Sequence, residues 1–176
     1  MLFREATSED RSALLQIHRL AFGQSEEADL VESQLADPTA QPVLSLVAEE
    51  EGTVIGHVLF TGVSLLGPDK PPSASILAPL AVVPAAQRLG VGRGLIERGA
   101  ELLTSSGVRL LFVLGDPRYY TKHGFTPASP HGLRAPYVIE PDAAWMVRPL
   151  GNHILGSIQG QVSCADALAP EKYWRE

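Results

Sequence analysis

The sequence predicts one α/β domain in which helices flank a mixed β-sheet, and two observations carry the prediction. Two almost wholly apolar segments, Ile76–Val83 and Leu110–Leu114, are typical of central strands that are buried on both faces. Between them, apolar residues follow helical spacing from position 91 to about position 105, and Gly107 is suited to end that helix. A strand, a helix and a strand in this order predict parallel neighbouring strands joined by a right-handed crossover.

A short strand and two helices are predicted upstream of this unit. Residues 2 to 6 form the strand, and Thr7 or Ser8, followed by two acidic residues, begins a helix that ends at Gly23. Ser25 begins the second helix, which stops at Asp37-Pro38 because the residue before a proline disfavours helical geometry. Two helices therefore precede most of the sheet.

A hairpin, a loop and an interrupted strand follow. Val43–Ala48 and Val54–Val63 are rich in β-branched residues and flank a polar turn at residues 49 to 52. The proline-rich segment 66 to 73 predicts an exposed loop. Within the central strand, Pro79 lacks an amide hydrogen, so we expect a bulge or a local splay there.

The remaining elements are short. A helix is predicted to open at Asp116-Pro117 and to end at Gly124-Phe125, where another strand begins. Late strands are predicted at Val138–Ile139 and Trp145–Val147. The tail from Gly151 onward has only a weak pattern, and its apolar residues could cover either the sheet or an identical partner, which leaves a homodimer open.

The charge and cysteine content of the chain argue against several classes of function. The formal charge of −6, with only 14 lysines and arginines, argues against nucleic-acid binding, because phosphate backbones are held by those residues. We therefore expect a neutral or cationic partner. The single cysteine, Cys164, permits no internal disulfide and favours a reducing, cytoplasmic location. The start of the chain lacks a secretion-signal pattern, and no apolar run is long enough for a membrane span, so a soluble protein is expected. No metal-ligand spacing is present.

A glycine-rich turn lies between the central strand and its helix. Gly90, Gly92 and Gly94 fall where free amides and the positive end of a helix favour an anion, and glycine lets a phosphate touch the backbone. Arg88 and Arg93 add positive charge beside those amides. A dinucleotide fingerprint does not fit, because position 95 is leucine, and the lysine of a nucleoside-triphosphate loop is absent. The turn therefore predicts a diphosphate site.

At these residues the chain resembles a known family. The segments 80–84 (Leu-Ala-Val-Val-Pro) and 87–92 (Gln-Arg-Leu-Gly-Val-Gly) are similar to the acetyl-coenzyme A signature of the GNAT superfamily of N-acetyltransferases. Segment 119–125 (Tyr-Tyr-Thr-Lys-His-Gly-Phe) resembles the aromatic block that follows in that superfamily. Ser45–Ala48, Ile55–His57 and Val113–Pro117 resemble one uncharacterised bacterial branch. The similarity covers roughly residues 1 to 150, which we expect to be the catalytic domain, with residues 151 to 176 as an extension packed on it.

The resemblance implies a fold and a co-substrate. The sheet would splay between its fourth and fifth strands, with the pantetheine arm of acetyl-coenzyme A in the gap and its pyrophosphate on the glycine turn. The expected cofactor-binding residues are Leu80, Ala81, Val82, Gln87, Arg88, Leu89, Gly90, Val91, Gly92 and Arg93. The chain departs from the common pattern at Gly115-Asp116-Pro117, where many members carry an asparagine that touches the cofactor.

The resemblance also implies acetyl transfer to a primary amine of a small molecule or a protein. Tyr120 aligns with the general-acid tyrosine of the superfamily, and a tyrosine hydroxyl can protonate a departing thiolate. Tyr119 is expected to pack against the cofactor or the sheet. The sequence offers several candidates for the general base and does not choose among them: His57, Glu49, Glu50, Glu51, Glu26 and His123. A non-catalytic module that senses acyl-coenzyme A is the alternative, and a nucleotide-binding protein is a third interpretation.

Overall fold

The computed structural model describes residues 1–175, which contain four α-helices and nine strands. The helices are α1 (Arg11–Phe22), α2 (Glu26–Ala36), α3 (Val91–Ser105) and α4 (Pro117–Tyr120). The strands are β1 (Leu2–Glu5), β2 (Leu44–Glu50), β3 (Thr53–Leu66), β4 (Ala74–Val82), β5 (Leu110–Leu114), β6 (Thr126–Pro127), β7 (Leu133–Arg134), β8 (Trp145–Pro149) and β9 (Gly160–Ser163). Within this part of the chain, no helix is long and apolar enough to cross a membrane.

The strands form one mixed sheet, as the sequence predicted. Its main path runs β1-β2-β3-β4-β5-β8-β6, while β9 pairs with the end of β3 and with β7. Strands β4 and β5 are parallel and joined through α3, which confirms the predicted strand, helix and strand unit. The other neighbours along the main path are antiparallel.

Alternate residues of the central strands face two different cores. Leu77, Leu111 and Val113 pack with α3 on one face. Ile76 and Phe112 face the other way, into a core that includes residues of α2 and of the C-terminal segment. The period of two in the strands therefore separates the helix that follows the glycine turn from α1, α2 and the tail.

The sheet opens in its middle, between β4 and β5. Their pairing runs only from Ala74 with Leu110 to Leu77 with Val113, although β4 continues to Val82. Against β3, Val58 pairs with Leu80 and Phe60 with Leu77, so two residues of β4 face one residue of β3. That extra residue is the bulge expected at Pro79, and the splay implied by the family resemblance lies just beyond it.

Two late predictions differ from the structure. Val138–Ile139 is irregular rather than a strand, with Val138 88% exposed and Ile139 buried. Prolines at 136 and 141 flank the pair, and a residue without an amide hydrogen cannot continue a ladder. The tail, in contrast, contains strand β9, whose four residues were too short for a pattern to be recognised.

Candidate active site

The glycine-rich turn holds its backbone in left-handed geometry at two positions. Arg88 has a φ of 64° and Gly90 a φ of 87°, and Gly90 is the residue that precedes α3. A side-chain carbon placed on Gly90 would meet no atom within 4 Å. The first-turn amides of α3 have no partner within the helix, so this open corner can accept an anion.

The two neighbouring glycines have other roles. A side-chain carbon on Gly92 would overlap the hydroxyl of Tyr119, and one on Gly94 would overlap the ring of Phe3. Gly94 therefore lets α3 approach β1, and Gly92 makes room for an aromatic ring that lies over the turn. Of the three glycines predicted to make space for a phosphate, only Gly90 has open space where a side chain would stand, and the phosphate site itself stays a prediction.

The side chains of the turn point in different directions. Arg88 and Arg93 are exposed, and neither forms an ion pair with another residue of the described chain. The Gln87 amide donates to the Val82 carbonyl at 3.0 Å and so ties the turn to β4. Leu89 is 70% exposed, whereas Val91 is buried in the α3 core. The two arginines are thus the side chains available to an anionic ligand.

Backbone groups of β4 point into the splay. The Val83 amide donates to the Ile55 carbonyl at 3.0 Å, and in an antiparallel ladder every second residue bonds the same neighbour. Leu80 and Val82 therefore direct their amide and carbonyl groups to the other side, where β5 no longer pairs. Ala81 pairs with His57 of β3 and is buried, so its main-chain groups are directed to β3 and not into the splay.

Tyr120 sits at the end of the splay, directly on Gly115. A side-chain carbon on Gly115, the residue after β5, would overlap the Tyr120 ring. The ring also makes edge contacts with Tyr119, at 4.9 Å between centroids, and with Phe125, at 5.5 Å. The position where this chain departs from the common family pattern therefore provides the surface on which the candidate acid rests.

Two clefts meet at Leu80 and Tyr120. The first, of about 490 Å³, is bounded by the glycine turn and the Tyr pair, and we call it the cofactor cleft. The second, of about 530 Å³, lies on the other side of these residues, between the end of α1, the start of α2, the bulge of β4 and the C-terminal segment. We call it the acceptor cleft. A reaction at the junction has access from both sides.

The bulge between the clefts is held by a buried glutamine. Gln34 of α2 is fully buried, and its amide donates to the carbonyl of Ala78 at 2.9 Å. The Thr61 hydroxyl donates to the oxygen of the same amide at 3.3 Å. The bulged carbonyl, which has lost its ladder position, thereby keeps a partner. No pattern in the sequence singled out Gln34.

A second network fixes the turn that carries Tyr120. Arg148 of β8 donates two hydrogen bonds to Glu97 of α3, at 2.8 and 3.2 Å, and a third to the carbonyl of His123, at 3.1 Å. Glu97 consequently has a lowered pKa, chiefly through its bond to Arg148. His123 lines the cofactor cleft beneath Tyr119, and burial lowers its pKa. The network connects α3 to the aromatic block.

The structure separates the candidate bases. Glu26 lines the acceptor cleft and His123 the cofactor cleft, while Glu49 accepts from Arg4 at 3.3 Å, away from both. Glu50 is the last residue of β2, and Glu51 lies in the hairpin turn that follows. Neither cleft is lined by any of these three glutamates.

His57 belongs to a buried pair. Its Nδ1 lies 2.7 Å from Nε2 of His18, and its Nε2 lies 2.8 Å from the Ser45 hydroxyl. Burial lowers the pKa of His57 to about 3 and that of His18 to about 4. Both rings are completely buried, so His57 packs within the core and does not line either cleft.

Nothing in the described residues forms a metal centre or a reactive thiol. No group of three or more histidine, cysteine, aspartate or glutamate side chains is arranged to hold a metal ion within residues 1–175. Cys164 lies outside both clefts, and burial raises the pKa of its thiol to about 11. A protonated thiol is a poor nucleophile.

Comparison with known proteins gives consistent results. The acetyltransferase (GNAT) domain model matches residues 3–128. The chain is 44% identical over 167 residues to the Escherichia coli K12 protein named uncharacterized N-acetyltransferase YjhQ, which covers 93% of this chain and 92% of that protein. It is 32% identical over 163 residues to the E. coli K12 uncharacterized N-acetyltransferase YhbS, with 92% and 95% covered.

Two solved structures share the fold over nearly the whole chain. The crystal structure of E. coli YhbS in complex with CoA has a TM-score of 0.85 and 30% identity, and covers 95% of this chain and 91% of that one. A GNAT acetyltransferase from Brucella melitensis in complex with acetyl-CoA has a TM-score of 0.75, also at 30% identity, with 95% and 97% covered.

Proposed function

The chain belongs to the GNAT family of acetyltransferases, and we propose that it transfers the acetyl group of acetyl-coenzyme A to a primary amine at the junction of its two clefts. The observation that carries the proposal is that Leu80 and Tyr120 line both clefts. One cleft offers free amides and two unpaired arginines, and the other opens to the opposite side of the sheet. Two substrates can therefore meet without passing one another.

The cofactor cleft fits acetyl-coenzyme A, the co-substrate of the family. Amides of the α3 first turn, together with Arg88 and Arg93, suit its pyrophosphate, because these donors are not engaged elsewhere in the described chain. The main-chain groups of Leu80 and the amide of Val82 suit the amide-rich arm, while the Val82 carbonyl already accepts from Gln87. The bound molecule supplies the acetyl thioester.

The residues at the junction have distinct tasks. An amide of β4 at Leu80 or Val82 is the candidate donor to the carbonyl oxygen on which charge develops. Tyr120 Oη is the candidate proton donor for the departing thiolate, as the new carbon–nitrogen bond forms and the carbon–sulfur bond breaks. The acceptor must arrive as, or become, a neutral amine, and its proton leaves through the acceptor cleft.

The C-terminal tail packs on the domain that carries both clefts. We propose that the predicted extension 151–176, of which residue 176 lies outside the described residues, belongs to the domain formed by residues 1–150, since β9 pairs with β3 and Trp174 packs 5.6 Å from Trp145. Trp174 is only 3% exposed, so this residue is covered by its own chain and offers no surface to an identical partner. The single cysteine supports a cytoplasmic location as part of the proposal.

Coenzyme A release with a panel of amines tests the function. Tyr120→Phe keeps the ring on Gly115 and removes the hydroxyl, so we expect kcat to fall about hundredfold with little change in the KM for acetyl-coenzyme A. Tyr119→Phe is the matched variant, and because that hydroxyl lies over the turn we expect its effect on KM to exceed that on kcat. Full turnover in Tyr120→Phe would remove the general-acid assignment. Binding of acetyl-coenzyme A without acetylation of any amine would favour a sensing module.

A further inference from the structure

The C-terminal segment forms a fixed wall of the acceptor cleft. The Asp166 amide donates to the Thr39 hydroxyl and the Ala167 amide to Asp37, each at 2.9 Å. The Trp174 indole donates to the Leu168 carbonyl at 2.8 Å, and its ring is buried in the core. The backbone on either side of residues 171–173 is thus anchored to the rest of the domain.

This wall carries positive charge. Lys172 and Arg175 both line the acceptor cleft, with Tyr173 and Trp174 between them. Lys172 forms no ion pair within residues 1–175, and its ammonium lies 5.0 Å from the centre of the Tyr173 ring. Arg175 has only a distant carboxylate, Glu171, at 3.8 Å. Both cations can therefore serve a ligand.

The facing wall carries negative charge. Glu26 and Glu27, at the start of α2, line the same cleft. Glu27 accepts only from the neutral amide of Gln24, at 3.1 and 3.3 Å, and Glu26 forms no ion pair with a described residue. Two carboxylates therefore line the same cleft as two cations, and none of these four side chains forms an ion pair with another of them.

We propose, on the premise of the function above, that the acceptor is a small zwitterionic amine of the amino-acid type. Its anionic group is held by Lys172 and Arg175, while Glu26 and Glu27 favour the entry of its ammonium end toward Tyr120. A purely cationic amine would face two cations, and a purely anionic ligand would face two carboxylates, so a molecule with both charges matches the cleft best. The net charge of −6, which favoured a neutral or cationic partner, does not describe this local balance.

Matched acceptors test this class. The probes are leucine against leucinamide, and 4-aminobutanoate against butylamine and 1,4-diaminobutane, each with saturating acetyl-coenzyme A. For the wild-type protein we expect kcat/KM for each acid to exceed that of its counterparts without a carboxylate by about tenfold, as two exposed charge pairs would give. Lys172→Met should reduce that preference about threefold, and the double variant Lys172→Met with Arg175→Met should abolish it. The KM for acetyl-coenzyme A should not change.

The control is Lys70→Met, which removes an exposed lysine from the loop before β4, outside both clefts. It should keep the full preference. Equal rates for acids and amides, or a preference that survives the double variant, would overturn the zwitterionic class while leaving acetyl transfer intact. If no probe is acetylated although acetyl-coenzyme A binds, the class is wrong for this cleft and the cofactor assignment stands. Loss of acetyl-coenzyme A binding would instead contradict the proposed function itself.

Discussion

The two clefts differ in how the chain builds them. The cofactor cleft is made largely of one continuous segment, from the end of β4 through the turn to the start of α3. Tyr119 and Tyr120 of α4, which follows β5, complete its lining. The acceptor cleft gathers the end of α1, the start of α2, the bulge of β4 and a C-terminal segment almost 150 residues away from α1. A site built by local backbone geometry leaves a motif in the sequence, whereas a site built by packing of distant segments leaves none.

The largest expected effect concerns the residue between the clefts. In Gly115→Ala the new methyl group would overlap the Tyr120 ring and displace it. Because a misplacement of about 1 Å can cost about a hundredfold in rate, we expect kcat to fall by about that factor while acetyl-coenzyme A still binds at the turn. Steady-state kinetics with calorimetric titration of coenzyme A check this. Unchanged kcat would mean that Tyr120 does not act from its place on Gly115.

The next prediction concerns the acceptor side alone. Gln34→Met keeps the length of the side chain and removes the amide that the Ala78 carbonyl accepts from. Ala78 is only partly buried, so its carbonyl loses about 1 kcal/mol without this partner, and we expect the unfolding free energy to fall by about that amount and kcat to fall with it. Denaturant unfolding measures the first, and acetylation assays measure the second. Gln24→Met, on the exposed start of the same region, is the control and should leave stability within about 0.5 kcal/mol.

A smaller effect is expected at Gly90, where comparison with Gly107 distinguishes the cost of backbone strain from the loss of a cofactor contact. Gly90 and Gly107 lie at the two ends of α3, both have left-handed φ, and a side-chain carbon at either meets no atom within 4 Å. Alanine at each position should therefore cost about 1 kcal/mol of stability. Only Gly90→Ala is expected to weaken acetyl-coenzyme A binding, by about tenfold, because only that corner faces the cofactor cleft. Equal affinities of Gly90→Ala and Gly107→Ala for acetyl-coenzyme A would contradict an anion site at Gly90.

The difference between a cleft built from one local segment and a cleft built from distant segments also determines which features could be predicted from the sequence. The mixed sheet, its parallel central pair and the bulge at Pro79 followed from apolar runs, helical spacing and a missing amide hydrogen, and all three are confirmed. The family membership was recognised from the turn and the aromatic block, and it is confirmed as well. These features depend on residues that are near each other in the chain.

The features that escaped prediction depend on distant contacts. Helical spacing places Gln34 in the same run as the apolar residues of α2, but it does not reveal the partner of its amide, Ala78, which lies 44 positions away in the sequence. The roles of Gly92 and Gly94 are set by Tyr119 and Phe3, which approach from other elements. Lys172 resembles an ordinary surface lysine until the fold places it opposite α2. Sequence patterns report periodicity and local backbone geometry. Contacts between side chains that are far apart in the sequence leave no such pattern.

The last prediction is a pH dependence of stability that arises from buried histidines in the core beneath the acceptor side. His18 stacks on Phe22, which lines the acceptor cleft, and both His18 and His57 have pKa values far below 6.5, chiefly through burial. Below pH 6.5 the unfolded chain therefore binds protons that the folded chain does not, so stability falls as the pH falls. Between pH 7 and pH 6 the pair should lower the unfolding free energy by roughly 1 kcal/mol.

Denaturant unfolding from pH 7 down to pH 5 measures this slope, in a window above the range where Asp10, with a pKa of about 2, begins to contribute. Removing one histidine in His18→Leu should make the slope shallower by the contribution of that residue, while His57 and His123, whose pKa values are also lowered, keep the rest. His153→Asn is the control, since His153 is exposed and asparagine tolerates its left-handed φ of 60°. A wild-type stability that stays constant between pH 7 and pH 5 would mean that the pair accepts a proton inside the folded core. In that case the core beneath the acceptor cleft would tolerate a buried positive charge.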